Sequence, residues 1–297
     1  MGADVEAVAA ELRASRKYRH VAAAALARIA AAALRGARGH ADAVKRAKRK
    51  LYQVFAAFVT AVEIGRAEQI LAALPDHPSR EELSAACGEI LKRHASTRER
   101  VVASSRERTN GGDAAWYARV FAITGASRVV LDLGCGFHPF ALPWMGLKDD
   151  CEYLACDVDE RIAALVQKLL DRCGRRGRAA AVDLVVGGGT QPANDVSSGV
   201  ESLLDAPVDV AFLMKLLPTL ERQEVSASER LIARLRAKSL VVTFPARSLG
   251  GRERGMAARY EGFMRELFEI RAKPRFEPAV RVDGDEPTWI VPRRSLP

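Results

Sequence analysis

Glycines and carboxylates at the ends of short apolar runs are where this chain could do chemistry. "LDLGCG", from Leu131 to Gly136, ends an apolar, β-branched run with two glycines around a Cys. Gly134 and Gly136 let the backbone turn tightly and approach a ligand closely. A dinucleotide fingerprint needs a third glycine three residues after the second, where pyrophosphate rests on a helix N-terminus. Pro139 stands there instead. Asp157 lies 21 residues after Gly136, at the end of a second run, "CEYLACD". A carboxylate in that place can accept from both ribose hydroxyls. Asp183 ends a third run within "AAAVDLVV", where a carboxylate can accept from an adenine amino group. The pattern therefore calls for a cofactor with ribose and adenine but no phosphate chain.

A glycine turn, a ribose acid and an adenine acid on three successive strands are the S-adenosylmethionine arrangement of class I methyltransferases. The competing reading is that Asp157 and Asp183 only cap the helices that follow them.

These residues need a sheet to hold them, and the pattern after residue 110 supplies one. "NGGD" reads as a turn, followed by a short helix around 116–123. Strands "SRVVLDLG", "CEYLACD", "AAAVDLVV", "PVDVAFLMK" and "KSLVVTFP" then alternate with helices expected at 160–173 and 224–235. Continuous apolar strands between helices predict a parallel sheet covered on both faces. Its ligand site belongs at the carboxyl ends of the strands. Two late strands, around 278–282 and 288–291, are expected to close the sheet as an antiparallel pair. "GGGTQPANDVSSG" reads as a flexible surface loop.

The first 105 residues read as helical. Ala, Leu, Arg, Lys and Glu dominate, and a long first helix is expected to end at Gly36 and Gly39. A second is expected over 42–64, with Val44, Ala47, Leu51, Val54, Phe55, Phe58 and Val62 at three- and four-residue steps. Ser79 with Glu82 forms a capping box that opens a third helix over 80–94. The chain thus divides into an all-helical domain, 1–108, and an α/β domain of the class I, Rossmann-like type, 109–297.

Charge separates the two halves further. Residues 1–50 hold 12 Lys and Arg against 4 Asp and Glu, whereas the whole chain carries +9. A basic end on a near-neutral body suits a polyanionic partner. Lys45, Arg46, Lys48, Arg49 and Lys50 form the densest run and are read as phosphate contacts rather than a merely solvated face. Arg247, Arg252 and Arg254, after the fifth strand, form a second candidate patch. The five Cys are scattered, with no C-x-x-C pair and no His at finger spacing, so neither disulfides nor a metal are expected. No apolar run approaches the roughly 18–20 residues that span a bilayer, and the N-terminus lacks a signal-peptide pattern. A cytoplasmic protein is expected.

Seven segments, in order, carry a family resemblance: "SRKYRHVAA" from Ser15, "AVKRAKRKLYQVFAAF" from Ala43, "HASTRER" from His94, "DLGCGFHPFALPWMGL" from Asp132, "YLACDVD" from Tyr153, "FLMKLLPTLE" from Phe212 and "VVTFPARSLGGRERGM" from Val241. The chain resembles the aminoglycoside-resistance 16S rRNA methyltransferases that modify guanine-1405 at N7. The resemblance implies S-adenosyl-L-methionine as cofactor and the 30S subunit, through its 16S rRNA, as partner. It places Phe58, His94, Ala95 and Ser96 in the wall of the cofactor pocket and Arg100 on the methionine carboxylate. Gly134 and Gly136 would lie against the cofactor, Asp157 on its ribose, Asp183 and Leu184 at the adenine, and Met214 and Gln223 beside the target. Four features depart from the family. His138 stands where the family usually has Asn. Pro287 interrupts the expected last strand, the segment 187–206 is longer than usual, and "SSRERTNGGD" differs from the usual text.

Guanine N7 carries a lone pair and no proton, so no general base is expected among the residues. Met214 and Lys215 are the candidates to face the target, Lys215 toward RNA or the cofactor carboxylate. His94 and His138 are read as hydrogen-bonded structural histidines, and Trp144 and Met145 as packing beneath the glycine turn. Two alternatives stay open: N1 methylation of a neighbouring adenine, and a ribosome-binding module that no longer binds the cofactor.

Overall fold

The computed structural model describes residues 2–55, 60–94, 97, 114–185, 203–245, 256–282 and 286–294. Five helices come first: α1 (Gly2–Ala14), α2 (Ala23–Leu34), α3 (His40–Phe55), α4 (Ala61–Ala72) and α5 (Arg80–Arg93). After α6 (Ala114–Thr124) come β1 (Val129–Leu133), β2 (Glu152–Asp157), α7 (Glu160–Arg172), β3 (Gly177–Ala181) and β4 (Pro207–Met214). They are followed by α8 (Leu217–Gln223), α9 (Ala227–Arg234), β5 (Arg236–Thr243), α10 (Met256–Met264), β6 (Val280–Val282) and β7 (Thr288–Pro292). The seven strands form one sheet in the order β3-β2-β1-β4-β5-β7-β6. β7 is antiparallel to β5 and to β6; the other neighbours run parallel. The expected class I architecture, with its closing antiparallel pair, is what the chain adopts.

Side chains alternate across the sheet as the two-residue period of a strand requires. Val130, Val210 and Phe212 face one apolar layer, while Leu131, Leu133, Ala211 and Leu213 face the other. The first layer is completed by α4 and α5 through Ile64, Leu71, Cys87 and Ile90. Helices α1–α3 enclose a separate core of Val8, Leu12, Leu26, Ile29, Val44 and Leu51. So the last two helices of the N-terminal half pack into the same apolar layer as the sheet.

Four expectations change. The long first helix is broken between Ala14 and Ala23, although its residues are good helix formers. There the chain bonds to the strand ends: Ala22 N–H donates to Val158 O at 2.8 Å, Glu160 N–H donates to His20 O at 2.8 Å, and Val21 bridges to Asp159. Tertiary hydrogen bonds outweigh a propensity worth only tenths of a kcal/mol per residue. The expected helix over 42–64 is two. Thr60 starts a new one through a capping box with Glu63, leaving Val62 exposed and sending Ile64 into the core. The third strand ends at Ala181, so Asp183 lies just beyond it. Finally, α8 precedes the expected helix near 224–235, which begins at Ala227.

A fifth expectation changes at Pro287, which does not interrupt the last strand but stands immediately before β7; the Ser79–Glu82 box forms as expected. The domain boundary at 108 and 109, the loop at 187–199 and the "NGGD" turn lie outside the described residues. No described helix is long and apolar enough to cross a membrane.

Candidate active site

A cavity opens at the carboxyl ends of β1, β2 and β4. Gly134, Gly136, His138, Asp157, Asp183, Leu184, Met214, Lys215, Gln223 and His94 all line it. Ten of the residues singled out from sequence therefore share one space. Phe58, Ala95, Ser96 and Arg100, and the patch of Arg247, Arg252 and Arg254, lie outside the described residues.

The glycine turn is built on left-handed backbone, with φ of 59° at Gly134 and 49° at Gly136. A Cβ on Gly134 would sit 2.8 Å from Leu216 Cδ1. L-residues disfavour this conformation by about 1–2 kcal/mol. Gly134→Ala is therefore expected to lower the melting temperature by about 2–6 °C and to narrow the cavity, as thermal unfolding would register. An unchanged transition would contradict the strain.

Asp157 is held inside that turn. Its Oδ2 accepts from Gly136 N–H and its Oδ1 from Asp159 N–H, each at 3.0 Å. Burial pushes its carboxyl up to about 6, against the pull of these backbone donors. Each oxygen retains a further lone pair for a ligand.

Asp183 is tied to the helical half. Arg28, on α2, donates from Nε to Asp183 Oδ2 at 2.6 Å and from a terminal nitrogen to Oδ1 at 2.9 Å. The same terminal nitrogen donates to Gln223 Oε1 at 2.9 Å, so Gln223, expected with Met214 beside the target, instead shares a partner with Asp183. β4 ends at Met214, and Lys215 follows it; both line the cavity. Lys215 takes a left-handed φ of 56°, and its N–H donates to Thr243 O at 3.1 Å. Such strain persists where surrounding structure holds it. Its ammonium lies 3.3 Å from Glu286 Oε2, both side chains largely buried. Lys215 thus lines the cavity, with its charge paired to the chain's own carboxylate.

His94 caps α5 and faces the cavity, edge-on to Phe137 with ring centroids 5.3 Å apart. Its Nδ1 lies 3.1 Å from Glu63 Oε1. Burial and the nearby Lys215 ammonium lower its pKa, and Glu63 opposes them. Burial alone would raise Glu63, but bonds from Thr60 and His94 outweigh it and hold the carboxyl below its usual range.

Beneath the turn, the segment His138–Trp144 forms a short 3₁₀ helix that packs against α5. His138 is buried: Nδ1 meets Asp132 Oδ2 at 2.8 Å and Nε2 meets Tyr117 OH at 2.9 Å. Tyr153 OH donates to the same Asp132 oxygen at 2.8 Å. His138 is thus hydrogen-bonded, as expected, while also lining the cavity. Met145 is buried and Trp144 packs on the same apolar layer.

The basic run on α3 is less uniform than its sequence. Lys45, Arg46 and Arg49 are exposed. Arg46 pairs with Asp42 at 3.0 Å, and Lys48 lies 3.7 Å from Glu11. Lys50 differs from its neighbours: its ammonium donates to Arg222 O at 2.6 Å, tying α3 to the end of α8. Burial and the adjacent Arg28 lower its pKa.

Val21, Thr97, Phe137, Leu216 and Thr219 also line the cavity and were not singled out. All five fall inside the quoted family segments, so a signal for them was present. Arg28 had none beyond being a lone basic residue in an Ala-rich helix. Among the described residues, no group of three or more His, Cys, Asp and Glu could hold a metal. The donor set fits S-adenosylmethionine: side-chain-free backbone at Gly134 and Gly136, carboxylates at two strand ends, and apolar walls at Val158, Ile162 and Leu184.

The family model described as "Ribosomal RNA methyltransferase (FmrO)" matches residues 14–277. The chain is 34% identical over 281 residues to a 16S rRNA (guanine(1405)-N(7))-methyltransferase of Micromonospora echinospora, covering 93% of this chain and 92% of that one. It is 34% identical over 294 residues to the protein of the same name from Micromonospora rosea, covering 93% and 92%. Among solved structures, it is similar to the 16S rRNA methyltransferase RmtF in complex with S-adenosyl-L-homocysteine. That match has a TM-score of 0.75 and 32% identity, over 99% of this chain and 100% of that one.

Proposed function

The chain belongs to the ribosomal RNA methyltransferase (FmrO) family, and from that premise we propose that it methylates N7 of guanine-1405 in the 16S rRNA of the 30S subunit. S-adenosyl-L-methionine is the proposed donor, and resistance to deoxystreptamine aminoglycosides the proposed consequence. The observation that carries the reading is the shared cavity, where the glycine turn, Asp157 and Asp183 converge on one space.

When bound, S-adenosylmethionine supplies an electrophilic sulfonium methyl. The target nitrogen has a lone pair and no proton, so the chain has no proton to remove first. What its residues must provide is alignment and electrostatic support. Asp157 would hold the ribose, Asp183, Leu184 and Gln223 the adenine end, and Gly134 and Gly136 would let backbone close on the ligand. Arg100 would meet the methionine carboxylate, and Phe58, His94, Ala95 and Ser96 would wall the pocket. Met214 and Lys215 would flank the target base.

Guanine N7 in an RNA helix faces a deep, narrow groove that side chains hardly read. The enzyme must therefore extract or distort the nucleotide, which requires firm docking. Residues 1–108 would supply that docking and 109–297 the methyl transfer. Lys45 and Arg49 are the leading phosphate contacts, supported by exposed Arg46 and by Arg247, Arg252 and Arg254.

The deciding experiment incubates 30S particles with methyl-labelled S-adenosylmethionine and maps the modified base. N7-methylguanine is identified by strand scission after reduction and aniline treatment. Label at guanine-1405 is expected. Label on a neighbouring adenine, or none, overturns the reading.

A pH dependence follows from Asp157. Its carboxyl titrates near 6, so it is ionised above that pH and protonated below it. If the ionised form accepts the ribose, affinity is full above about pH 7 and falls as pH drops through 6. At pH 5 about one-tenth of the groups are ionised, so S-adenosylhomocysteine should bind about tenfold more weakly. Calorimetric titrations from pH 5 to 8 measure this, and a flat profile contradicts it.

A further inference from the structure

Arg28 stands outside the cavity, on a helix of the N-terminal half, yet it controls two cavity-lining side chains at once. Its contacts with Asp183 are bidentate, and both partners are nearly buried, with side chains 13% and 11% exposed. Its third bond, to Gln223 Oε1, is made from the nitrogen that already holds Asp183 Oδ1.

A guanidinium has donors and no acceptor. The Gln223 atom facing it must therefore be the carbonyl oxygen, which leaves the amide NH₂ as the part of that side chain able to meet a ligand. Asp183 is fixed in the opposite sense. Its Oδ1 accepts from both Arg28 and Val185 N–H, the latter at 3.2 Å, while Oδ2 accepts from Arg28 Nε. Oδ2 thus keeps an acceptor position. Without Arg28 the amide could turn either way, and the carboxylate would keep only the Val185 N–H bond on Oδ1, which does not fix its plane.

We infer that Arg28 is a positioning residue that makes the pocket select adenine, by fixing Asp183 as acceptor and Gln223 as donor against its Watson–Crick edge. Adenine presents an amino donor beside the N1 acceptor. Hypoxanthine presents the reverse, a carbonyl beside N1–H, and so meets like against like at both positions. A site built on hydrogen bonds rejects a mismatched analogue strongly because its polar groups are left unpaired. The inference rests on the cofactor reading above and adds to it the residue that sets base selectivity.

The test titrates the full chain calorimetrically with S-adenosylhomocysteine and with S-inosylhomocysteine. The wild type should prefer the adenosyl ligand by about 100-fold or more. Arg28→Ala should narrow that preference at least about tenfold. Arg28→Lys, which can pair with Asp183 but lacks the planar fork, should fall between. Gln223→Glu keeps a partner for Arg28 while replacing the donor with an acceptor, so it should also narrow the preference without loosening the fold. If Arg28→Ala does not fold, Arg28→Lys and Gln223→Glu carry the test. A preference unchanged in the variants, or equal weakening for both ligands, overturns the inference and makes Arg28 a structural strut. A wild type that binds neither ligand overturns the cofactor reading itself, and this inference with it.

Discussion

Asp157→Asn is expected to weaken S-adenosylhomocysteine binding by at least about 100-fold. The carboxylate already serves two backbone donors, Gly136 N–H on one oxygen and Asp159 N–H on the other. An amide keeps only one of those acceptors. Whichever way Asn is turned, its NH₂ faces an N–H, and two donors oppose each other at the centre of the turn. A buried donor left unsatisfied costs about 1–3 kcal/mol, and a hydrogen bond to a charged group contributes about 1.5–3 kcal/mol. The loss of both predicts two or more orders of magnitude in affinity. Binding to 30S particles should survive, since the exposed basic residues lie on α3. Calorimetry with the ligand and filter binding to 30S separate the two effects. An Asn variant within threefold of wild type in cofactor affinity would remove Asp157 from the site.

The second large effect is expected at the docking surface. Lys45→Glu with Arg49→Glu should weaken 30S association by about 100-fold or more at moderate salt, because two phosphate attractions become two repulsions. The slope of log affinity against log salt should also fall by about 0.7–0.9 for each phosphate that is no longer neutralised. These two positions are chosen from the run of five because the structure separates them. Arg46 is paired with Asp42, Lys48 lies near Glu11, and Lys50 is committed to Arg222 O. Lys45 and Arg49 are exposed and have no ion pair among the described residues. Cofactor affinity should stay within about twofold of wild type. A double variant that docks normally would move the RNA-binding surface elsewhere. One in which cofactor binding and docking fail together would show that these side chains serve the fold.

The two halves of the chain are more closely joined than their composition implies. Ile64, Leu71 and Ile90 of the N-terminal half are buried in the apolar layer of the sheet. Val21 and His94 reach the cavity, and Arg28 holds Asp183 and Gln223. A basic end and a near-neutral body suggested two separable pieces. Charge, however, describes what an element shows to solvent and says nothing of what its buried face touches.

Much of the site was legible in the residues. The apolar strands, the glycine turn, the acid at the end of β2 and the Ser79–Glu82 box are local features. Each is set by the burial period of one element or by bonds spanning a few residues, so the residue order alone determines it. Pro139 in place of a third glycine was enough to turn the reading away from a dinucleotide. The break after Ala14 was hidden because helix propensity is weak beside the bonds that Ala22 and His20 make to the chain after β2. The pairing of Arg28 with Asp183, 155 residues away, was hidden for a related reason. Many placements of α2 would bury its apolar face equally well, and only one brings its single Arg to that carboxylate. The run at 45–50 reads as one patch in the sequence; tertiary structure divided it, bonding Lys50 to Arg222 O and leaving Lys45 and Arg49 exposed without an ion pair among the described residues. What the sequence by itself determined here is the set of elements and the chemistry at their ends. What only the tertiary structure decided is which distant side chains meet, because that depends on how whole elements pack rather than on the period within any one of them.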